Sequence, residues 1–273
     1  MSPPCFEFAG EAPRNAIRAA GVRLRNEMTV HTDPLPPDPP LRRQVAVAWT
    51  VHAFTATGAV IAFLALQATV EGQWRRALLW LVAALVVDGV DGSLARWAQV
   101  KTRAARIDGD SLDLLVDYLA YVFVPVVFLW RAALIPASAA PWLAGLILVS
   151  ALYNFTRRDL KTQDNYFRGF PSLWHVAALY LFVGRPGPEA GAVVVCVLAL
   201  ATFAPVHFVH PFRVRGYGPW LPALATLWAA ATAALLWPGW SGGVLTLLLG
   251  VSLAAGAVLV ALGLLRTFKG GRV

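Results

Sequence analysis

The chain of 273 residues is 58% hydrophobic and only 14% charged, with its charges gathered into short segments between apolar runs long enough to cross a bilayer. A water-soluble domain of this length would scatter its charges more evenly, so the composition indicates an all-α integral membrane protein. The net charge of +8 favours an anionic lipid surface, and the lack of any basic soluble module argues against nucleic acid as a partner.

Residues 1–43 contain no apolar run of the signal-peptide type and are read as a retained cytosolic extension. Within it, residues 12–28 set Ile17, Leu24 and Met28 against Arg14, Arg18, Arg23 and Arg25. That pattern suits either an interfacial helix on anionic lipid or a loosely structured basic tail. Residues 32–40, TDPLPPDPP, form a proline-rich linker expected to be extended. Apolar segments follow at about 44–70, 75–97, 110–131, 137–156, 170–184, 188–208, 217–237 and 242–265, predicting eight transmembrane helices of which the fifth is the shortest. No soluble domain and no internal repeat interrupts them, so residues 44–273 read as one transmembrane domain. Cys5 and Cys196 lie in unlike contexts and suggest neither a disulfide nor a metal site.

Lys and Arg set the expected orientation. With the N-terminus inside, nineteen of the 23 basic side chains fall in cytosolic segments, and only Arg75, Arg76, Arg131 and Arg185 fall outside. The positive-inside rule then places both termini and the connection between the second and third spans in the cytosol.

That connection carries the main chemical signal. The chain reads DGVDGSLAR at 88–96 and GDSLDLLVD at 109–117, and six of its fifteen acidic residues, Asp88, Asp91, Asp108, Asp110, Asp113 and Asp117, fall in these thirty positions. Asp88 and Asp91 are three apart and Asp113 and Asp117 four apart, so each pair shares a helix face. If 97–109 is a turn between antiparallel helices, both pairs lie roughly 4–12 Å inside the same end, at 1.5 Å per residue. Four carboxylates converging within apolar surroundings need a cation, and hard divalent ions such as Mg²⁺ or Mn²⁺ match oxygen ligands. Asp108 and Asp110 read instead as helix-capping residues of a solvated loop.

These residues resemble the signature of the CDP-alcohol phosphotransferase family, D-x-x-D-G-x-x-A-R, a gap, then G-x-x-x-D-x-x-x-D. Its fixed positions are present as Asp88, Asp91, Gly92, Ala95, Arg96, Gly109, Asp113 and Asp117. The long gap and the D-G-x-D-G opening are similar to the bacterial phosphatidylcholine synthase branch. So is the 156–171 loop with Trp174, through Lys161, Thr162, Asp164, Phe167, Gly169, Phe170 and Pro171, although His175 stands where Asn is expected in that branch.

The resemblance implies a helical-bundle transferase of the bacterial inner membrane that joins CDP-diacylglycerol and choline, giving phosphatidylcholine and CMP. It implies that Asp88, Asp91, Asp113 and Asp117 hold the metal, two ions of Mn²⁺ or Mg²⁺, and that Asp117 is also the general base. Gly92, Ala95, Arg96 and Gly109 would take the CDP-lipid, the small residues by letting it near the backbone and Arg96 by its planar cationic fork. Choline, a quaternary ammonium, is expected to lie against aromatic faces, with Tyr121 the first candidate, Tyr153, Tyr166 and Trp174 next, and Asp164 a countercharge. His207 and His210 read as interfacial, and the last two spans as scaffold or a homodimer contact. The alternatives are another acceptor (serine, inositol phosphate or glycerol phosphate), a cation-coupled transporter, which also places carboxylates inside a bundle, and an inactive relative with a scaffolding role.

Overall fold

The computed structural model describes residues 41–269. The N-terminal extension, with its expected basic segment and proline-rich linker, lies outside the described residues apart from its last three positions. The helices are α1 (Arg42–Val70), α2 (Trp74–Trp97), a single turn α3 (Val100–Arg103), α4 (Gly109–Arg131), α5 (Ala140–Thr156), α6 (Trp174–Gly184), α7 (Pro188–Phe203), α8 (Trp220–Ala234) and α9 (Gly242–Phe268). Apart from α3, each coincides with one of the eight apolar segments. Four of them, α1, α2, α4 and α9, are long and apolar enough to cross a membrane, at 29, 24, 23 and 27 residues. The other four are apolar but shorter.

Two expected boundaries moved for local reasons. The fifth segment becomes helical only at Trp174, because Gly169 (φ +77°) and Ser172 (φ +58°) hold left-handed backbone on either side of Pro171. The sixth stops at Phe203, because Ala204 precedes Pro205 and is extended, with ψ 148°. The loop before the fifth segment pairs with the end of the sixth: β1 (Phe167–Arg168) and β2 (His207–Phe208) form an antiparallel ribbon, Phe167 opposite Phe208 and Arg168 opposite His207. The all-α expectation is corrected to this extent. Gly169 sits where any side chain would strike the Thr202 carbonyl, and its N–H donates to the Val206 carbonyl at 2.7 Å.

Small residues bring α1 against its neighbours. Ala48, Gly58, Ala62, Ala65 and Ala68 are buried on α1 and Ala77 and Ala84 on α2, and a Cβ on Gly58 would overlap Val116 of α4. The main core is built on fully buried Trp174, Phe128, Leu129, Ile147 and Val195. Large apolar side chains also cover the outside, with Trp142 81% and Leu247 66% exposed, the inverse of a soluble surface and the expected outer layer of a protein solvated by lipid.

Within α4, residues Leu119–Phe123 form a π turn. The Val124 N–H reaches back to the Leu119 carbonyl, and Pro125 next to it has no N–H to restore the α ladder. The turn begins two residues after Asp117.

Candidate metal and nucleotide site

Helix α1 packs on both α2 and α4, so the carboxylates of those two helices face one another beside it. Oxygens of Asp88, Asp91 and Asp113 lie within 4.8 Å of one another, with Asp91 fully buried and the other two half-buried. At metal–oxygen distances of about 2.0–2.2 Å, ligand oxygens around one ion stand about 3–4.4 Å apart, so small side-chain adjustments would let this trio hold a divalent cation. An all-oxygen, acid-only donor set suits Mg²⁺ or Mn²⁺ over softer metals. Asp117, one turn along α4, is within electrostatic range of Asp88, Asp113 and Asp91 but outside this tight group. The structure therefore gathers all four aspartates in one cleft, three of them at ligand spacing.

Asp108 caps α4, and Asp110 sits in its first turn. The Asp108 carboxylate accepts from the Asp110 N–H at 3.1 Å and the Ser111 hydroxyl at 2.6 Å, and Asp110 forms an exposed ion pair with Lys101. Neither joins the cluster.

Cations rim the cleft. A Cβ on Gly92 would meet the Arg96 Nη1 at 3.5 Å and the Arg213 Nη2 at 4.0 Å, so two guanidiniums from distant parts of the chain overlie this glycine. Lys161 is exposed along its stem but carries its ammonium over the Phe167 ring at 4.9 Å, within electrostatic range of Asp88, Asp113 and Asp117. Burial of the ammonium, and then the Arg213 charge, hold it below the ordinary lysine range. Phe167 also stacks on His210 at 5.4 Å and 8°. Burial, with the Lys161 and Arg213 charges, pushes His210 down to about 4, so it is neutral at pH 7. A ribbon-anchored stack thus presents Lys161 beside the acids.

The other signature positions divide. Ala95 packs against the small cluster of Ala48, Val51, Ala98, Val100 and Ala104, a packing role. Beside Gly109 the imidazole of His52 fills the space a side chain would need, its Cε1 3.1 Å from the added Cβ, and the buried His52 Nε2 has no partner.

The aromatic candidates are not brought together. Tyr153 stacks on Phe203 at 4.9 Å with the Arg157 guanidinium over its ring. The Tyr166 hydroxyl is 3.2 Å from that of Tyr217, and Arg266 lies over the Tyr166 ring. Arg266 also donates to Asp164 at 2.8 Å, which holds that carboxyl below its usual range. Trp174 is fully buried against Phe170. Tyr121 is buried against His175, its hydroxyl facing Asp88. Each ring already has a protein partner.

Sequence reasoning missed His52, Arg213 and His175 as neighbours of these groups. Arg213 counted only as an orientation signal, and His52 is the single ionisable residue of the apolar segment 44–70, which was the one available clue.

A helical membrane protein with a carboxylate cluster rimmed by cations has the groups to hold a divalent ion beside a phosphate. The model of the CDP-alcohol phosphatidyltransferase family matches residues 44–263, and the chain belongs to that family. Among similar proteins, the phosphatidylcholine synthase of Pseudomonas aeruginosa is 42% identical over 224 residues, covering 82% of this chain and 93% of the relative. That of Bradyrhizobium diazoefficiens is 39% identical over 213 residues, 78% and 79% of the two chains. That of Mesorhizobium japonicum is 37% identical over 191 residues, 70% and 71%.

Proposed function

We propose that this protein is a phosphatidylcholine synthase, transferring the phosphatidyl group of CDP-diacylglycerol to choline with release of CMP. One observation carries the reading: three carboxylates at ligand spacing face a rim of Arg96, Arg213 and Lys161, acids that would hold a divalent cation beside cations that would hold a diphosphate. Asp88, Asp91 and Asp113, with Asp117 beside them, would hold a divalent cation, which would supply charge neutralisation to the diphosphate and to the phosphate leaving with CMP.

The remaining work belongs to side chains. Gly92 leaves the diphosphate room between the helix and the two guanidiniums, which fix its non-bridging oxygens. Asp117 takes the proton from the acceptor hydroxyl as its oxygen attacks the lipid phosphorus in line, and the bond from that phosphorus to the CMP oxygen breaks. Gly109 and His52 line the path to the nucleoside. In the membrane the cleft opens to the cytosol, where a CDP-lipid and a water-soluble alcohol meet, and the four shorter helices cross alongside the four long ones.

Purified protein in detergent, given CDP-diacylglycerol and Mn²⁺, is expected to release CMP when choline is added. Release with serine, inositol phosphate or glycerol phosphate instead would reassign the acceptor. Choline uptake into liposomes without CMP formation would replace the enzyme by a transporter.

A further inference from the structure

The π turn of α4 and the start of α6 meet at two rings. Tyr121 and His175 have centroids 4.4 Å apart and planes inclined by 31°, and each is only 4% exposed. Three polar atoms on this pair lack a hydrogen-bond partner: the Tyr121 hydroxyl and both nitrogens of His175. A buried polar atom left unpaired is costly, so native interiors leave few of them. Three on two touching rings mark a place where a small polar group belongs. That place adjoins the cleft, since the Tyr121 hydroxyl faces Asp88 and lies within electrostatic range of Asp117 and Asp113.

The geometry also says which end of an acceptor fits. One face of Tyr121 is covered by His175 and the rest of the ring is buried, so no face is open for an ammonium group to sit against. Hydrogen bonding is what remains. We propose that Tyr121 and His175 form the subsite for the hydroxyl group of the acceptor alcohol. The Tyr121 O–H and an imidazole N–H donate to the two lone pairs of the acceptor oxygen. Its own hydrogen is left pointing to Asp117, and the pair freed on deprotonation attacks phosphorus. The inference rests on the proposed transfer to an alcohol, not on which alcohol it is.

The test compares choline with ethyltrimethylammonium, which keeps the cation and lacks the hydroxyl, in the purified enzyme with CDP-diacylglycerol and Mn²⁺. In the wild-type protein the analogue is expected to inhibit with a constant at least about tenfold above the KM for choline, the value of one good hydrogen bond. His175→Phe keeps a flat ring against Tyr121 and removes the nitrogens. It should raise the choline KM about tenfold while the analogue's inhibition constant and the KM for CDP-diacylglycerol stay put. His175→Asn should recover part of the loss, and Tyr121→Phe should match His175→Phe in direction.

Equal binding of choline and analogue by the wild type overturns the subsite, as does equal weakening of both in His175→Phe. The wild-type comparison stands even if a variant fails to fold. Absence of CMP release with any alcohol would defeat the enzymatic reading itself, whereas CMP release with choline alongside a tightly binding analogue defeats only the subsite.

Discussion

Asp117 is set apart from the other three acids by its place one turn deeper, outside the group at ligand spacing. A carboxylate that binds metal only peripherally can keep its acid–base chemistry. Asp117→Asn is expected to cut CMP release by on the order of 10²–10⁴-fold while CDP-diacylglycerol binding, measured on the purified variant, persists. Full activity would remove it as the base. The glycines sort by what a methyl group would meet. At Gly92 it meets the flexible ends of Arg96 and Arg213 at ordinary contact distance, whereas at Gly169 it strikes the Thr202 carbonyl on a backbone with φ +77°. Gly92→Ala should therefore keep the wild-type melting temperature and raise the KM for CDP-diacylglycerol. Gly169→Ala should lower the melting temperature or abolish expression of folded protein. The signature acids, Gly92 and Arg96 were legible because they sit on two adjacent helices at fixed spacing. Arg213 and His175 were not, because only tertiary packing carries residues more than fifty positions away back to that cleft.

At the scale of elements, the sequence marked the eight apolar helices well, since burial in lipid demands long apolar runs. It missed the ribbon, whose two residues per strand leave no periodic trace. That ribbon holds Phe167 against both Lys161 and His210. It also makes a pH-dependent prediction. His210 is held down to about 4 in the fold by burial, Lys161 and Arg213, against about 6.5 in an unfolded chain. The unfolded state then binds the extra proton first, so the stabilisation is complete above about pH 6.5 and lost as pH falls towards 4. His210→Phe keeps the stack without the titration. Its melting temperature, followed from pH 7 to 4.5, should decline less steeply than that of the wild type, and parallel curves would exclude His210 as the cause. The π turn is the second element beyond sequence reading, though Pro125 supplies its physical reason.

For the whole molecule the open quantity is how many times the chain crosses the bilayer, and the cleft itself constrains it. Lys161, in the connection between α5 and α6, and Arg213, between α7 and α8, both come to the end of α2 and α4 where the acids lie. Arg266, near the end of α9, reaches Asp164 on the same side. The chain leaves that end along α4 and must be back for Lys161, for Arg213 and for Arg266, which supports α5 to α9 each crossing. Helix α6, with 11 residues, spans only about 16 Å at 1.5 Å per residue, and the non-helical 170–173 before it supplies further length. A cysteine-labelling experiment separates the counts. With Cys5 and Cys196 replaced by Ala, single cysteines at exposed Ser138 and Ser241 should react with a membrane-impermeant maleimide in intact cells. Cysteines at exposed Gln163 and Arg215 should react only after permeabilisation. If only the four long helices crossed, the whole stretch between α4 and α9 would lie outside and all four positions would label in intact cells, moving Lys161 and Arg213 away from the cytosolic substrates that the proposed chemistry needs.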